Sequence, residues 1–467
     1  MTHLNLHADR RSFLRHSAAL AATGASPFAL NLSLMAGAVA QSVPSGEYRA
    51  LVCVYLGGGN DNANTVVPTS STEHAAYASA RGVLTLSKDE LAATSLSPIG
   101  FDGPTLALHP ALTRLRARFN AGQVALVPNV GPLSVPTTDS QWNKGKPSVE
   151  VPLQLFSHSD QLRAWSSASP NQYTRTGWLG RAGDALKALN GQSKVSLLMS
   201  MAGQNALQVG SNAQQYQVTV KGPVAINGLD GAYAIKTPLK RQWLTNSSTW
   251  ANGSAKSPHL MEQELVNITQ RAISSELAIR DAITPTASLE AFGGGKLGEQ
   301  LRMVARMIDA RSAIGHTRQI FYVSLGGFDF HADLLKNQAE KLAEVDAALD
   351  SFQAWLDLKG LGAQVTTFTM SEFGRALQSN GSGSDHGWGS HHFVMGGAVR
   401  GQRVYGAWPT VKIKGPEDAG NGRLIPTTPM DAYAATLATW LGASGSSLDL
   451  ILPNLGRFPV RNLGFMA

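Results

Sequence analysis

A short, glycine-rich stretch near the carboxyl end of the chain concentrates residues that could bind a metal ion. The sequence SDHGWGSHHFVMGG, residues 384–397, contains Asp385, His386, His391 and His392. Imidazole nitrogens together with carboxylate oxygens suit zinc, manganese or iron, whereas oxygen ligands alone would indicate magnesium or calcium. Because the last two histidines are adjacent, we expect one of them to face a given ion, and the sequence leaves open which. The stretch is therefore predicted to be a metal-binding loop.

Polar residues also follow three segments that have the pattern of buried strands. Asp61 follows RALVCVYL, Asp329 and His331 follow QIFYVSL, and Glu372 follows AQVTTFTM. Continuous apolar runs of this kind are typical of strands buried on both faces of a sheet. In an open α/β sheet, ligands bind beyond the carboxyl ends of the strands. We therefore predict that these side chains meet the histidine-rich loop at one edge of the sheet.

This set of candidate ligands is too large for one tetrahedral ion, which keeps about three protein ligands in a catalytic site. It predicts two divalent ions about 3.5–4 Å apart, the arrangement that binds attacking and leaving oxygens at phosphorus. The ions expected are zinc, manganese or iron. The candidate ligands are Asp61, Asp329, His331, Glu372, Asp385, His386, His391 and His392.

A further motif, LFSHSDQLRAW, places Ser157 and His158 just before a predicted helix. A hydroxyl at a helix N-terminus is well placed to bind anions or to act as a nucleophile, because the helix dipole stabilises negative charge there. A serine at this position can equally be a helix N-cap without chemistry. The sequence leaves both interpretations open.

The elements that would position these residues have an α/β pattern. Residues 319–325 and 363–370 are strand-like, and KLAEVDAALDSFQAWL between them places its apolar residues on one helical face. Strand, helix and strand in this order predict a βαβ crossover and a mostly parallel sheet flanked by helices. We expect one such domain over residues 41–467. Residues 206–258, rich in Gln, Asn, Ser and Gly, are predicted to form an insertion or cap within it.

The first forty residues have the pattern of a signal peptide. Arg10 and Arg11 precede Ser-Phe-Leu, an alanine-rich stretch follows, and Ala38-Val39-Ala40 has the small residues of a cleavage site. This pattern resembles a twin-arginine (Tat) signal peptide. It predicts export by the Tat translocase to the periplasm or the medium. We expect no stable membrane span after processing, since the apolar stretch is interrupted by glycine, proline and asparagine.

Charge and cysteine content exclude several classes of function. The formal net charge is +7 without any run of basic residues, which argues against nucleic acid as a partner and is compatible with a small anionic substrate. Cys53 is the single cysteine, so neither an intrachain disulfide nor a cysteine-based zinc or iron–sulfur site can form. Because it lies in an apolar run, we expect Cys53 to be an inert core residue.

Several motifs together resemble the domain-of-unknown-function 1501 family, exported and usually Tat-dependent bacterial proteins grouped with the alkaline phosphatase and sulfatase superfamily. The motifs are GGNDNAN, LHPAL, SHSDQ, GGFDFH, SEFGR and SDHGWGSHHFVMGG, and the resemblance extends from about residue 48 to 460. It implies an alkaline phosphatase-like core with a two-metal site at the strand ends.

The resemblance also implies roles for individual residues. Asp61 matches the acid after the first strand, and Ser157 matches a nucleophile at a helix start. Asp329 and His331 match an Asp and a His after a later strand. Glu372 stands where the superfamily has its Asp–His pair, so it is expected to have taken over a ligand role. The remaining matches are Asp385, His386 and either His391 or His392.

The sequence therefore predicts an exported, metal-dependent hydrolase of a phosphate or sulfate ester. Ser157 would attack the ester, and His158 would assist proton transfer. A different class of function remains open at this stage. An exported binding or assembly protein could retain the same metal site for structure alone.

Overall fold

The structure is a computed structural model, and it describes residues 47–225, 260–286 and 289–467 of the chain. The predicted signal peptide, residues 1–40, lies outside this part of the chain. So does residue range 226–259, which makes up most of the predicted insertion.

The elements are numbered along the described residues. The strands are β1 (Arg49–Gly57), β2 (Val66–Pro68), β3 (Leu106–Leu108), β4 (Val124–Gly131), β5 (Leu198–Ser200), β6 (Tyr216–Thr219), β7 (Gly222–Pro223), β8 (Arg318–Gly326), β9 (Val365–Met370), β10 (Arg375–Ser379), β11 (Ser384–His386), β12 (Ser390–Met395), β13 (Arg403–Val404) and β14 (Thr428–Pro429). The α-helices are α1 (Asn62–Thr65), α2 (Ser71–Arg81), α3 (Lys88–Leu91), α4 (Thr113–Asn120), α5 (Asp139–Trp142), α6 (His158–Ser167), α7 (Trp178–Leu186), α8 (Leu260–Ile283), α9 (Gly295–Asp309), α10 (Leu334–Leu358), α11 (Met430–Leu441) and α12 (Ser446–Ile451). Short 3₁₀ turns lie at Gly82–Leu84, Ala92–Thr94, Asn143–Gly145, Lys187–Asn190, Ala206–Gln208, Thr284–Thr286 and Leu455–Arg457.

A ten-stranded sheet forms the centre of the described part, in the order β13-β4-β12-β9-β1-β8-β5-β6-β7, with β14 beside β4. Strands β9, β1, β8, β5 and β6 run parallel to one another. Strand β12 is antiparallel to its neighbours β9 and β4, and β7 is antiparallel to β6. The predicted mostly parallel sheet flanked by helices is confirmed.

Strand β1 shows why the sheet is covered on both faces. Its alternate side chains enter two separate cores, Ala50, Val52, Val54 and Leu56 on one side and Leu51, Cys53 and Tyr55 on the other. The first core includes residues of α4, α8, α9 and α10, and the second includes residues of α6, α7, α11 and α12. An unbroken apolar strand is the sequence pattern that such double burial requires. Burial raises the pKa of the Cys53 thiol, as expected for an inert core residue.

The predicted βαβ crossover is formed by β8, α10 and β9. The two strands are both parallel to β1, which lies between them, so the crossover passes over one strand. The residues predicted to line the inner face of α10 are all buried: Leu342, Val345, Leu349, Phe352 and Leu356. This unit brings the carboxyl ends of β1, β8 and β9 side by side.

The described beginning of the predicted insertion joins the main sheet. Strand β6 extends the sheet by pairing in parallel with β5, and β7 turns back against β6. The segments Tyr216–Thr219 and Gly222–Pro223 of the predicted insertion are therefore part of the sheet edge. Among the described helices, none is both long enough and apolar enough to cross a bilayer.

The histidine-rich stretch, predicted to be a loop, contains two strands. Strand β11 pairs with β10, and β12 inserts into the main sheet between β4 and β9. The glycines lie between and after these strands, where Gly387 and Gly389 separate β11 from β12. The prediction of a loop, which was based on the glycine content, was therefore wrong for Ser384–His386 and Ser390–Met395.

Candidate metal centre

Side chains from separate strand ends meet at the carboxyl edge of the parallel sheet. We call them the histidine–carboxylate cluster, and its members are His158, Asp329, His331, Glu372, Asp385 and His386. Two members follow β8, one follows β9, two belong to β11, and His158 begins α6. The structure thus brings five of the predicted ligands together with His158, which the sequence analysis assigned to proton transfer.

Gly58 allows the ends of β1, β8 and β9 to approach closely. Its φ of +118° is unfavourable for other residues, and a Cβ there would lie 2.4 Å from the backbone nitrogen of Asp329. Its own N–H donates to Oε1 of Glu372 at 2.8 Å, and its carbonyl accepts from Arg375 at 3.1 Å. The cluster is therefore fixed by backbone as well as by side chains.

Asp329 lies at the centre of the cluster. Its Oδ2 is 3.5 Å from Nε2 of His158, and its Oδ1 is 3.4 Å from Nε2 of His386. The candidate ligand atoms of these residues all lie within 4.8 Å of one another. Ligand atoms about 2.0–2.1 Å from a tetrahedral zinc ion are about 3.4 Å apart, so the spacing suits one ion.

Hydrogen bonds to the other ring nitrogens turn both imidazoles toward Asp329. Nδ1 of His386 lies 2.7 Å from the carbonyl oxygen of Phe156, and Nδ1 of His158 lies 2.9 Å from Oε1 of Glu372. Both partners are acceptors, so each Nδ1 is the hydrogen-bond donor, and each Nε2 is directed toward Asp329. This is the arrangement that orients histidine ligands in metal sites, and the residues fit a divalent ion.

The charges around Asp329 also favour a cation. Burial would raise the pKa of Asp329, but the hydrogen bond and charge of Arg375 outweigh it, so that the pKa is lowered and the carboxylate is ionised. Burial lowers the pKa of His386, which keeps that ring neutral at neutral pH. An ionised carboxylate and a neutral imidazole are the forms that bind metal.

His331 and Asp385 form a second group beside the first. Nε2 of His331 lies 3.1 Å from Oδ1 of Asp329, and its Nδ1 lies 3.5 Å from Oδ1 of Asp385. The Nε2 atoms of His331 and His386 are 3.1 Å apart. Asp329 therefore has one oxygen facing His158 and the other facing both remaining histidines.

Ser157 is the residue before α6, as predicted, and its hydroxyl bonds within its own turn. Its Oγ donates to Oδ2 of Asp160 at 2.8 Å and lies 3.2 Å from Oγ of Ser159. It makes no side-chain capping bond to the helix backbone. The preceding residue, Phe156, has a φ of +71°, and its carbonyl is the one that accepts from His386.

A comparison with protein families gives one match. The model described as "Protein of unknown function (DUF1501)" covers residues 48–423. The chain belongs to the DUF1501 family. The resemblance inferred from the motifs is therefore confirmed. No curated protein matches the chain significantly.

Comparison with solved structures gives distant similarities. The soluble domain of lipooligosaccharide phosphoethanolamine transferase A from Neisseria meningitidis is 10% identical, with coverage of 88% of this chain and 94% of that chain and a TM-score of 0.33. Ps i-CgsB is 10% identical, with coverage of 87% and 74% and a TM-score of 0.31. A mutant of the alkaline phosphatase PafA is 14% identical, with coverage of 72% and 64% and a TM-score of 0.28.

In this DUF1501 chain, Asp61 lies apart from the cluster's ion pairs. It is fully buried, and its Oδ2 lies 2.5 Å from a guanidinium nitrogen of Arg81, which is also fully buried. The neighbouring asparagines are buried as well, and Asn64 accepts hydrogen bonds from Tyr77 and Arg81. The polar sequence after β1 thus builds a buried network, and the structure does not bring Asp61 into the candidate metal group.

The adjacent histidines of β12 also lie apart from the cluster. Nδ1 of His391 accepts the backbone N–H of Asn129 at 2.9 Å, and its ring lies against Trp408. His392 packs edge-on against Trp165. Burial lowers the pKa of each to about 3. Successive strand residues point to opposite faces, so both rings enter the packed interior of this DUF1501 chain instead of the strand-end site.

Sequence reasoning missed two residues of the SEFGR motif that shape the site. The ring of Phe373 stacks on His386 at 4.6 Å and contacts His158 at 4.9 Å between centroids. The fully buried guanidinium of Arg375 bonds to Asp329 at 3.0 Å. Their position directly after β9 was the available signal. In the sequence analysis, this signal was used only for Glu372. In the structure, Glu372 is the hydrogen-bond acceptor of His158.

Proposed function

We propose that this chain is an exported, metal-dependent hydrolase of phosphate or sulfate esters. The observation that carries the proposal is the orientation of His158 and His386, whose Nε2 atoms both face Asp329 while Nδ1 is hydrogen-bonded. Two imidazoles and one carboxylate with an open position form the ligand set of catalytic zinc sites and of non-haem iron sites. His158 would thus bind the ion instead of transferring a proton.

His331 and Asp385 are the residues we assign to a second ion, with Asp329 shared between the two. The side chains of His331, Asp329 and Asp385 are 46%, 43% and 52% exposed, so this group is open to substrate. When bound, zinc, manganese or iron would supply Lewis acidity that polarises the central atom of the ester.

The chain's own residues supply the nucleophile and a proton acceptor. In the proposed reaction, Oγ of Ser157 bonds to phosphorus or sulfur as the bond to the leaving oxygen breaks. The proton of the hydroxyl passes to Oδ2 of Asp160, and the leaving oxygen takes a proton from solvent. Water then cleaves the serine ester, releasing phosphate or sulfate, and the proton returns to Ser157.

The position of Ser157 at the start of a ten-residue helix supports this role. The free N–H groups of the first turn and the helix dipole stabilise negative charge near the hydroxyl. The carboxylate of Asp160 is itself held by Arg163 at 3.1 Å. A neutral hydroxyl, a carboxylate acceptor and a positive helix end therefore occur within one turn.

A second candidate function is a binding or assembly protein that keeps the metal for structure. The observation that favours it is that both hydrogen bonds of the Ser157 hydroxyl remain within its own helical turn. In that case the metal would stabilise the fold, and no residue of this turn would be needed for turnover.

The testing experiment separates metal binding from turnover. The full exported protein is purified without added metal and analysed for its metal content, then assayed with p-nitrophenyl phosphate and p-nitrophenyl sulfate. We expect zinc, manganese or iron in the wild type, lost in His386→Ala. Ser157→Ala should keep the metal and lose ester hydrolysis by at least about 100-fold.

Ser79→Ala is the matched control, since Ser79 is exposed in α2. If Ser157→Ala still hydrolyses the esters, Ser157 is not the nucleophile. Metal without any hydrolysis of either ester would favour the binding protein. Absence of metal from the wild type would contradict the proposal.

A further inference from the structure

Arg423 reaches the site from a loop that sequence reasoning did not connect with it. Its Nε donates to the backbone carbonyl of His386 at 2.9 Å. The centre of its guanidinium lies 4.8 Å from the ring centre of Phe156. Phe156 precedes Ser157, and its carbonyl accepts from the ring of His386. The guanidinium therefore contacts the residue that precedes the proposed nucleophile and the backbone of a proposed metal ligand.

The loop that carries Arg423 is tightly fixed. The carboxylate of Asp418 accepts the backbone N–H groups of Lys414, Gly420 and Gly422, each at 2.7 Å. The carbonyl of Gly422 accepts from Leu377 of β10 at 3.0 Å. Such a loop restricts the position of the guanidinium before any ligand binds, which lowers the entropic cost of binding.

Arg423 differs from Arg375 in how much of its hydrogen-bonding capacity is used. Arg375 is fully buried and bonds to Asp329, Gly58 and Ser384. Arg423 is partly exposed, and its Nε bond and its contact with the Phe156 ring are its side-chain interactions within the described residues. Its two terminal nitrogens are thus available as a planar pair of donors.

We propose that Arg423 binds the non-bridging oxygens of a tetrahedral phosphoryl or sulfuryl group at this site. The inference rests on the proposed function and identifies the residue that recognises the anionic part of the substrate. The carboxylates of Asp329, Glu372 and Asp385 would repel such an anion. A guanidinium with two free donors offsets this repulsion and matches a pair of oxygens in one plane.

The test measures anion binding without turnover. Inorganic phosphate and, separately, inorganic sulfate are titrated calorimetrically into the full, metal-loaded chain and into Arg423→Gln, Arg423→Lys and Arg400→Gln. Arg400 is exposed, so its variant makes the same change in net charge away from the site. Metal content and thermal unfolding are recorded for each protein.

We expect Arg423→Gln to weaken binding of phosphate, sulfate or both by about 10- to 100-fold, the range typical of hydrogen bonds to charged groups. Arg423→Lys should lie between it and the wild type, because lysine keeps the charge but loses the planar pair of donors. Arg400→Gln should bind as the wild type does, and all variants should keep their metal. The anion that responds more strongly distinguishes a phosphate from a sulfate ester as substrate.

Unchanged anion affinity in a folded, metal-containing Arg423→Gln protein would overturn the inference, as would a metal-loaded wild type that binds neither anion. A wild type that takes up no metal would instead contradict the proposed function. In that case the comparison of Arg423→Gln with Arg400→Gln on the metal-free chain still decides whether Arg423 binds the anion.

Discussion

Nδ1 of His158 lies 2.9 Å from Oε1 of Glu372. The same carboxylate oxygen accepts the N–H of Gly58 at 2.8 Å, so its position is fixed from the end of β1. The side chain of Glu372 is only 3% exposed, whereas that of His158 is 41% exposed. The buried acid therefore orients the more exposed imidazole, and Nε2 of His158 faces Asp329 as a result.

We predict that Glu372→Gln lowers the affinity for metal while the protein still folds. The amide can still accept from Gly58, but it loses the charge that holds the Nδ1 proton of His158. Outer partners of this kind are typically worth about 10- to 100-fold in metal affinity. Competition with a chromogenic chelator measures the affinity, and Glu340→Gln, an exposed site on α10, is the control. Equal affinity in both variants would contradict the orienting role.

For Asp61 we predict an effect on stability and none on metal binding. We expect Asp61→Asn to leave metal content unchanged and to destabilise the fold by about 3–5 kcal/mol, because it leaves the charge of Arg81 buried without its partner. The double variant Asp61→Asn/Arg81→Met should be less destabilised than the sum of the two single variants. Chemical unfolding and metal analysis are the measurements. Loss of metal in a folded Asp61→Asn protein would instead make Asp61 a ligand.

The convergence of the site could be predicted because it depends on local patterns. Apolar strands followed by polar residues identified β1, β8 and β9, and parallel strands bring their carboxyl ends to one edge. This was sufficient for Asp329, His331 and Glu372, and the histidine-rich stretch added Asp385 and His386. The resemblance to a known family supported the same residues.

The individual roles could not be predicted in this way, because they depend on distant partners. Asp61 has the local pattern of a ligand, but Arg81 at the end of α2 pairs with it. His391 and His392 have ligand-type side chains, but the pairing of β12 with β4 and β9 buries them. Arg423 has no local signal, since its place beside the site depends on the docking of its loop against β10. Sequence periodicity carries no information on such long-range pairs.

The buried histidines of β12 predict a dependence of stability on pH. The pKa of His391 and of His392 is about 3 in the folded chain, below the unfolded value of about 6.5. Their contribution to stability is complete above about pH 6.5 and is lost progressively as the pH falls toward 3, because the unfolded chain binds the protons.

Replacing either histidine should flatten this dependence. We expect His392→Gln to reduce the slope of the unfolding free energy against pH, between about pH 6 and 4, by about 1.4 kcal/mol per pH unit. Metal release affects wild type and variant alike, so it cancels in the difference. Chemical unfolding at several pH values is the measurement, and an unchanged slope would contradict the burial of an uncharged ring.

Asp431, in the first turn of α11, predicts a pH effect of opposite sign. Burial, partly offset by Asn454 and Arg181, raises its pKa to about 7. Since the unfolded value is about 3.9, the folded chain binds the proton more tightly. The contribution of Asp431 to stability is therefore present below about pH 4 and is lost as the pH rises toward 7.

We expect Asp431→Asn to be increasingly stabilised relative to the wild type between pH 4 and 7. The gain should reach at most about 4 kcal/mol and remain constant at higher pH, because the amide of similar shape carries no charge to bury. If the amide also destabilises the fold by a pH-independent amount, the difference in unfolding free energy shifts equally at every pH, and its slope against pH is unchanged. Asp102→Asn, at an exposed position, should give a pH-independent difference. A flat difference for Asp431→Asn, measured by chemical unfolding, would mean that Asp431 is ionised in the folded chain.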